Sequence, residues 1–223
     1  MIDHRDRRAP RIVVLGRQGA GKGEQCRRLA GRMDLDHVST GDLLRAAARA
    51  GSDLGRASET FLARGERVPD HLVAGLVAER VALASAEGRG ILLDGYPRTV
   101  AQAEQLVALA GADGLDLAIN IEVPRAIAVE RIQNRRVCTS CHAPGTTVLC
   151  ARCGSPTDRR ADDCTPAAID RRMSDFARDV GPLLDWFRVR GLLATIDGVA
   201  AADEVERRVN EVVEVLLDIT RLR

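Results

Sequence analysis

The sequence is nearly without lysine. Lys22 is the only one, so almost all of the 33 cationic residues are arginines. An excess of one charge is also missing: 33 Lys+Arg against 32 Asp+Glu leave a net charge of +1. That balance argues against a nucleic-acid coat or a polybasic membrane protein, so any anion site has to come from local clustering of arginine. Aromatic residues make up 2%, too few for the stacking rings of a nucleic-acid groove. No apolar run reaches the roughly 18 residues of a membrane span. Met1 to Arg11 has no apolar h-region, so a frayed extension is expected there rather than a signal peptide. The expected setting is the cytoplasm, where thiols stay reduced. What is present suits a soluble protein with a sizeable core: 45% hydrophobic and 29% charged residues in a chain of 223.

Short β-branched runs alternate with helical periodicity. Arg11 to Gly16 reads as a buried strand that ends at glycine. Helix is expected over Glu24 to Met33, and a second strand ends near His37-Val38. Short helices follow at Gly41 to Ala50 and Gly55 to Arg64, and Val68-Pro69-Asp70 opens a longer one. Gly90 to Asp94 is a third strand and Leu115 to Val123 a fourth, stopped by Pro124. A helix runs from about Pro124 to Arg136. Segment 137 to 165 has no helical period and is punctuated by glycine, proline and cysteine. Helix resumes near Pro166 and is expected to break at Gly181-Pro182. Leu192 to Ile196 is a fifth strand and Ala201 to Leu217 a closing helix. Such alternation implies a parallel sheet with helices on both faces, an α/β fold.

Gly16-Arg-Gln-Gly19-Ala20-Gly21-Lys22-Gly23 fits G-x-x-x-x-G-K between a strand and a helix, the context a phosphate-binding loop requires. Glycines let backbone N–H groups approach phosphate oxygens, and the helix N-terminus adds about half a positive charge. Lys22 supplies a point charge between the β- and γ-phosphates. The blander reading is a Gly-rich turn with an exposed lysine; the flanking strand, the helix and the uniqueness of Lys22 weigh against it. Gly23 stands where such loops usually carry the Ser or Thr hydroxyl for magnesium, which points to the nucleoside monophosphate kinases.

Cys138, Cys141, Cys150 and Cys153 fall within sixteen residues as CxxC-x8-CxxC. Two such knuckles place four thiolates around one tetrahedral zinc, and four protein ligands make that zinc structural. Two disulfides or free thiols are the competing readings, disfavoured in a reducing compartment. His142 follows Cys141 as a competing ligand. Cys26 reads as helical core, and Cys164 is left over near the end of the segment.

The chain resembles the adenylate kinase family over nearly its whole length. The residues that carry the resemblance are the loop Gly16 to Gln25, Ser39-Thr40-Gly41-Asp42-Leu43-Leu44-Arg45, Val68-Pro69-Asp70, and Asp94-Gly95-Tyr96-Pro97-Arg98-Thr99 with Gln102. Arg131 to Arg136, Arg160-Ala161-Asp162-Asp163 and Ile196-Asp197-Gly198 complete the set. All stand in the family's order. The resemblance implies a P-loop NTPase fold with a five-stranded parallel sheet. Its core would be 1–38, 70–136 and 170–223, with a monophosphate-binding insert at 39–69 and a zinc-bearing lid at 137–169.

The implied reaction is reversible phosphoryl transfer from Mg·ATP to AMP, giving two ADP. Bringing two nucleotides together concentrates negative charge, and two charges 4 Å apart interact by ~4 kcal/mol at an effective dielectric of 20. Arginine answers this with a planar fork that binds phosphate bidentately. The resemblance assigns Gly19 to Glu24 with Arg131 and Arg135 to ATP. It assigns Thr40, Arg45, Val68, Gly95, Arg98, Gln102, Arg160 and Arg172 to AMP. Lys22, Arg98, Arg131, Arg160 and Arg172 would be catalytic, with Arg159 or Arg171 as alternatives in the lid. Asp42 and Asp94 would hold the water shell of magnesium; helix capping is the blander role for Asp42, and a surface position for Gln102. A monomer without nucleic-acid or membrane partners is expected.

Four departures from the family pattern matter. The spacer between the cysteine pairs is shorter than the family's usual one. Gln18 replaces a proline, and Tyr96 a phenylalanine. Glu24 replaces a threonine at the phosphate end of a helix. Two readings of Glu24 stand: an active enzyme with the side chain turned aside, or weakened ATP affinity or an altered donor. Other readings are a kinase for another nucleoside monophosphate, a non-catalytic nucleotide sensor and a zinc-ribbon nucleic-acid binder.

Overall fold

A computed structural model describes residues 9–63, 68–111, 114–160, 163 and 165–220. The extension at 1–8, the expected helix end at Arg64, and Ala161, Asp162 and Cys164 lie outside the described residues. The first half runs β1 (Arg11–Leu15), α1 (Lys22–Met33), β2 (Asp36–Ser39), α2 (Thr40–Arg49), α3 (Asp53–Ala63) and α4 (Asp70–Ala86). Then come β3 (Ile91–Asp94), α5 (Val100–Ala110), β4 (Leu117–Glu122) and α6 (Arg125–Asn134). The last part holds β5 (Arg136–Cys138), β6 (Pro144–Gly145), β7 (Thr157–Arg159), α7 (Pro166–Arg188), β8 (Leu193–Asp197) and α8 (Ala202–Thr220).

Five strands form one parallel sheet in the order β2-β3-β1-β4-β8. Period-two alternation sends β1 side chains to opposite faces. Ile12 and Val14 join Leu29 of α1, Ile119 and Ile121 of β4, and Val205 and Val209 of α8. Val13 and Leu15 join Val77 of α4, Leu106 of α5 and Phe187 of α7 on the other face. Both faces are covered, which is why the strands read as continuous apolar runs. The register sets Val14 beside Asp94 and beside Ile119, and Ser39 beside Asp94. Three strand ends are thereby aligned at one carboxyl edge, where open α/β sheets bind ligands. Among the described residues no helix is long and apolar enough to cross a membrane.

Three expectations are corrected. The helix after Pro166 does not break at Gly181-Pro182; α7 continues for 23 residues with Pro182 inside it. An interior proline costs about 3 kcal/mol, and the packing on either side outweighs it. Ile169 and Met173 sit in the cluster on one face of the sheet, Leu183, Trp186 and Phe187 in the other. The helix expected to reach Arg136 stops at Asn134. Arg135 is extended at its C-cap and Arg136 opens β5, because the Arg136 guanidinium is drawn to Thr157 of β7 (2.8 and 2.7 Å). Asp42 is not the cap of α2. Ser39 is, accepting from the Asp42 N–H.

Segment 136–160 builds a separate antiparallel sheet, β6-β5-β7.

Candidate active site

The loop after β1 turns on glycine backbone. At Gly19 (φ +83°) a Cβ would lie 2.3 Å from the Ala128 carbonyl oxygen, and at Gly16 (φ +137°) 2.5 Å from that of Ile121. A side chain at either place would push the loop off α6 and β4. Gly21 caps α1 without a side-chain acceptor. The helix end therefore keeps its positive pole for an anion.

Lys22 Nζ donates to the Arg17 carbonyl (3.0 Å). Burial pulls its pKa below the ordinary lysine value; Asp94 opposes this, while Arg98 and Arg135 add to it. Lys22, Asp94, Arg98 and Arg135 thus share one electrostatic neighbourhood. Gly23 adjoins it, since a Cβ there would sit 3.5 Å from Asp94 Oδ2.

Glu24 is turned aside. Its carboxylate accepts from Arg28 Nε (2.7 Å) and pairs with Arg27 (2.8 Å). Arg28 continues to Asp203 (2.7 Å) and Glu206 (2.5 Å) of α8. The Arg28 hydrogen bond, over the opposing effect of burial, holds the Glu24 carboxyl below its usual pKa.

On the other side of Asp94, β2 delivers the chain to α2. The Thr40 hydroxyl is buried and donates to the carbonyls of Asp94 (3.4 Å) and Gly95 (3.2 Å). Arg98 Nε also donates to Gly95 O (2.8 Å). Gln102 is not a surface residue. It is 3% exposed, and its Oε1 accepts from the Arg98 N–H (2.7 Å). Val68 packs its side chain into the apolar cluster below α4. Asp42 pairs with Arg45 (2.5 Å). Burial works against the Asp42 carboxylate, but Arg45 and the charge of Arg160 outweigh it and its pKa falls. Arg160, at the exit of the small sheet, thus lies within electrostatic reach of Asp42 of α2.

The remaining arginines are anchored rather than free. Arg131 donates to the carbonyls of Gly198 (3.0 Å) and Val199 (3.2 Å) after β8. Arg135 and Arg172 converge on Asp163, which is 2% exposed (2.5 and 2.9 Å). Of the alternatives, Arg159 is taken up by the Gln133 carbonyl (2.9 Å).

The four cysteines of 138–153 form one cluster. Sulfur separations are 3.4 Å for Cys138–Cys153, 3.6 Å for Cys141–Cys150 and 3.4 Å for Cys141–Cys153. A disulfide would need about 2.05 Å, whereas sulfurs at ~2.3 Å from a tetrahedral zinc stand about 3.8 Å apart. Backbone N–H groups point back at the first sulfur of each knuckle: Ser140 and Cys141 to Cys138 Sγ, Arg152 to Cys150 Sγ, all at 3.4 Å. Such donors favour thiolate over thiol. The Cys138 pKa is lowered, first by the Cys141 N–H, and that of Cys153 is pulled to about 6, first by Ser155, while that of Cys141, lowered by the Ala143 N–H, is raised to about 11 by the neighbouring sulfurs. The donor set and its spacing suit zinc.

The family model described as Adenylate kinase matches residues 14–192. The chain belongs to the adenylate kinase family. It is 42% identical to an adenylate kinase of Moorella thermoacetica over 205 residues, 87% of this chain and 94% of that one. It is 37% identical to an adenylate kinase of Thermodesulfovibrio yellowstonii, over 92% of this chain and 99% of the relative. A third, from Bacillus licheniformis, is 37% identical over 90% and 96% of the two chains. The fold also brings to the site residues to which the sequence patterns assign no role. Asp163 bridges two arginines, and its position in the Arg160 to Asp163 motif was the available signal. Cys26 and His37 stand against Asp94, a meeting of α1, β2 and β3 that no spacing in the sequence announces.

Proposed function

We propose that this chain catalyses reversible phosphoryl transfer from Mg·ATP to AMP, giving two ADP. The observation that carries the reading is the neighbourhood of Lys22, Asp94, Arg98 and Arg135 at the open pole of α1. A buried lysine within electrostatic reach of two arginines suits the charge of two facing nucleotides.

In this reading the loop Gly19 to Glu24 cradles the ATP phosphates with its N–H groups, and Lys22 bridges the β- and γ-oxygens. Arg131 and Arg135 flank them. Arg45, Arg98, Arg160 and Arg172 draw the AMP phosphate into line. An AMP oxygen attacks the γ-phosphorus as the bond to the ADP oxygen breaks, so positioning and charge compensation provide the catalysis. The base of AMP rests against Thr40, Gly95, Gln102 and the Val68 backbone. Magnesium enters with ATP and supplies charge neutralisation. Asp94 and Asp42 suit its water shell, and Gly23 lies beside Asp94, a Cβ there being 3.5 Å from Asp94 Oδ2.

Four cysteines hold a structural zinc in the lid. The lid, 137–169, and the insert, 39–69, close over the core segments 1–38, 70–136 and 170–223 and keep water from the γ-phosphate. The enzyme works as a cytoplasmic monomer. The engagement of Glu24 by Arg27 and Arg28 supports an active enzyme over a disabled relative.

ADP formation from Mg·ATP with AMP, GMP, CMP or UMP tests the reading. AMP is expected to be preferred by at least about tenfold, a difference of about 1.4 kcal/mol. Equal or faster turnover of another monophosphate would overturn it.

A further inference from the structure

Beneath the phosphate loop, away from the lid, Cys26, His37 and Asp94 bring one ligand atom each to within 4.8 Å of one another. The three come from the second turn of α1, from β2 and from the end of β3. His37 Nε2 lies 3.9 Å from Asp94 Oδ2, beyond hydrogen-bond reach, and is buried without a partner. Cys26 is fully buried among apolar side chains. A soft thiolate, an imidazole nitrogen and a carboxylate are the donor set of a borderline-soft divalent ion.

We propose that Cys26, His37 and Asp94 form an inhibitory site for a thiophilic divalent cation such as Zn2+, distinct from the lid cluster. Ligand distances of about 2.0 to 2.3 Å put neighbouring donors about 3.5 Å apart, so the three atoms reach a common ion by sub-ångström shifts of side chains. Binding breaks the Cys26 S–H bond and releases its proton to solvent, while the imidazole coordinates neutral through Nε2. Burial raises the Cys26 pKa well above its ordinary value, and an added divalent charge offsets that cost. The opposing charge is Lys22, which interacts with both Asp94 and Cys26; its Nζ is held by the Arg17 carbonyl. Once coordinated, Asp94 is withdrawn from the nucleotide side. The predicted inhibition rests on the proposed part of Asp94 in the magnesium shell; the metal binding does not.

The test compares the full-length native protein with Cys26→Ala and His37→Asn, whose side chains have no part in the proposed phosphoryl transfer. Each is dialysed against Zn2+, and bound metal is counted by elemental analysis. Rates of ADP formation are then measured across added Zn2+ at fixed Mg·ATP. The native protein is expected to bind one zinc more than either variant, and each variant is expected to need at least about tenfold more Zn2+ for half-inhibition. Comparison at equal ATP cancels the capture of Zn2+ by nucleotide. Equal zinc content in all three proteins would overturn the site. One extra zinc in the native protein with equal inhibition of all three would keep the site and overturn the assignment of Asp94 to magnesium.

Discussion

In the five-stranded sheet Ile12, Leu92, Leu117, Ile119 and Ile121 are completely buried, and helices cover both faces. In segment 136–160 the buried residues are Cys138, Cys150 and Thr157, while Val148 and Leu149 are 69% and 58% exposed. The first region is held by removal of apolar surface from water. The second has almost no such surface to remove, and a small three-stranded sheet without a core is marginal in water. Its four sulfurs are gathered at 3.4 to 3.6 Å, and the proposed zinc would take the place of the core. The difference suits the proposed roles of the two regions, a scaffold that stays fixed and a cover that moves on it.

The comparison is broken most forcefully at the lid. Chelation of the proposed zinc would remove an interaction worth roughly 10–16 kcal/mol of apparent binding energy in short zinc peptides. Hydrogen exchange after chelation is expected to lose protection across 136–160 while β1, β3 and β4 keep theirs. Undiminished protection in the lid would show that its own packing suffices. In the central sheet, Ile119→Ala is expected to cost about 2–5 kcal/mol of global stability in chemical denaturation and to leave zinc content unchanged. A smaller cost would show that the cavity collapses.

Charge on α1 and α8 matters less. Glu24→Thr removes exposed ion pairs, so stability is expected to change by under about 1 kcal/mol. Steady-state kinetics should give a kcat/KM for ATP within about threefold of native, since the carboxylate is already turned away. A rise of tenfold or more would mean that it repels nucleotide. The smallest effect concerns pH. Hydrogen bonds from Arg207 and Arg208 hold the Glu204 carboxyl at about 2 against an ordinary 4.5. Its folded-state pKa is depressed, so its contribution is complete above about pH 4.5 and fades as pH falls towards 2. A pH series of thermal melts should lose that slope in Glu204→Gln.

Much of this was legible in local patterns. β1 and its loop follow from a β-branched run that stops at glycine, and the cysteine cluster follows from its spacing. The continuity of α7 was not legible, because Pro182 is a local signal and the clusters that override it on both faces of the sheet are tertiary. Nor was the burial of Gln102, whose partner is the backbone of Arg98 across a turn. For Glu24 the sequence displays a charge but no direction. The direction comes from Arg28, which is anchored 175 and 178 residues away on α8. The convergence of Cys26, His37 and Asp94 needs three elements in register and has no sequence signature.

The most direct measurement is steady-state ADP formation from Mg·ATP and AMP by the native protein and by Lys22→Ala, with circular dichroism to show that both are folded. Losing a cation placed against developing phosphoryl charge is expected to lower kcat about 10²- to 10³-fold. An unchanged rate in a folded Lys22→Ala protein would contradict the phosphate-loop site on which the account rests.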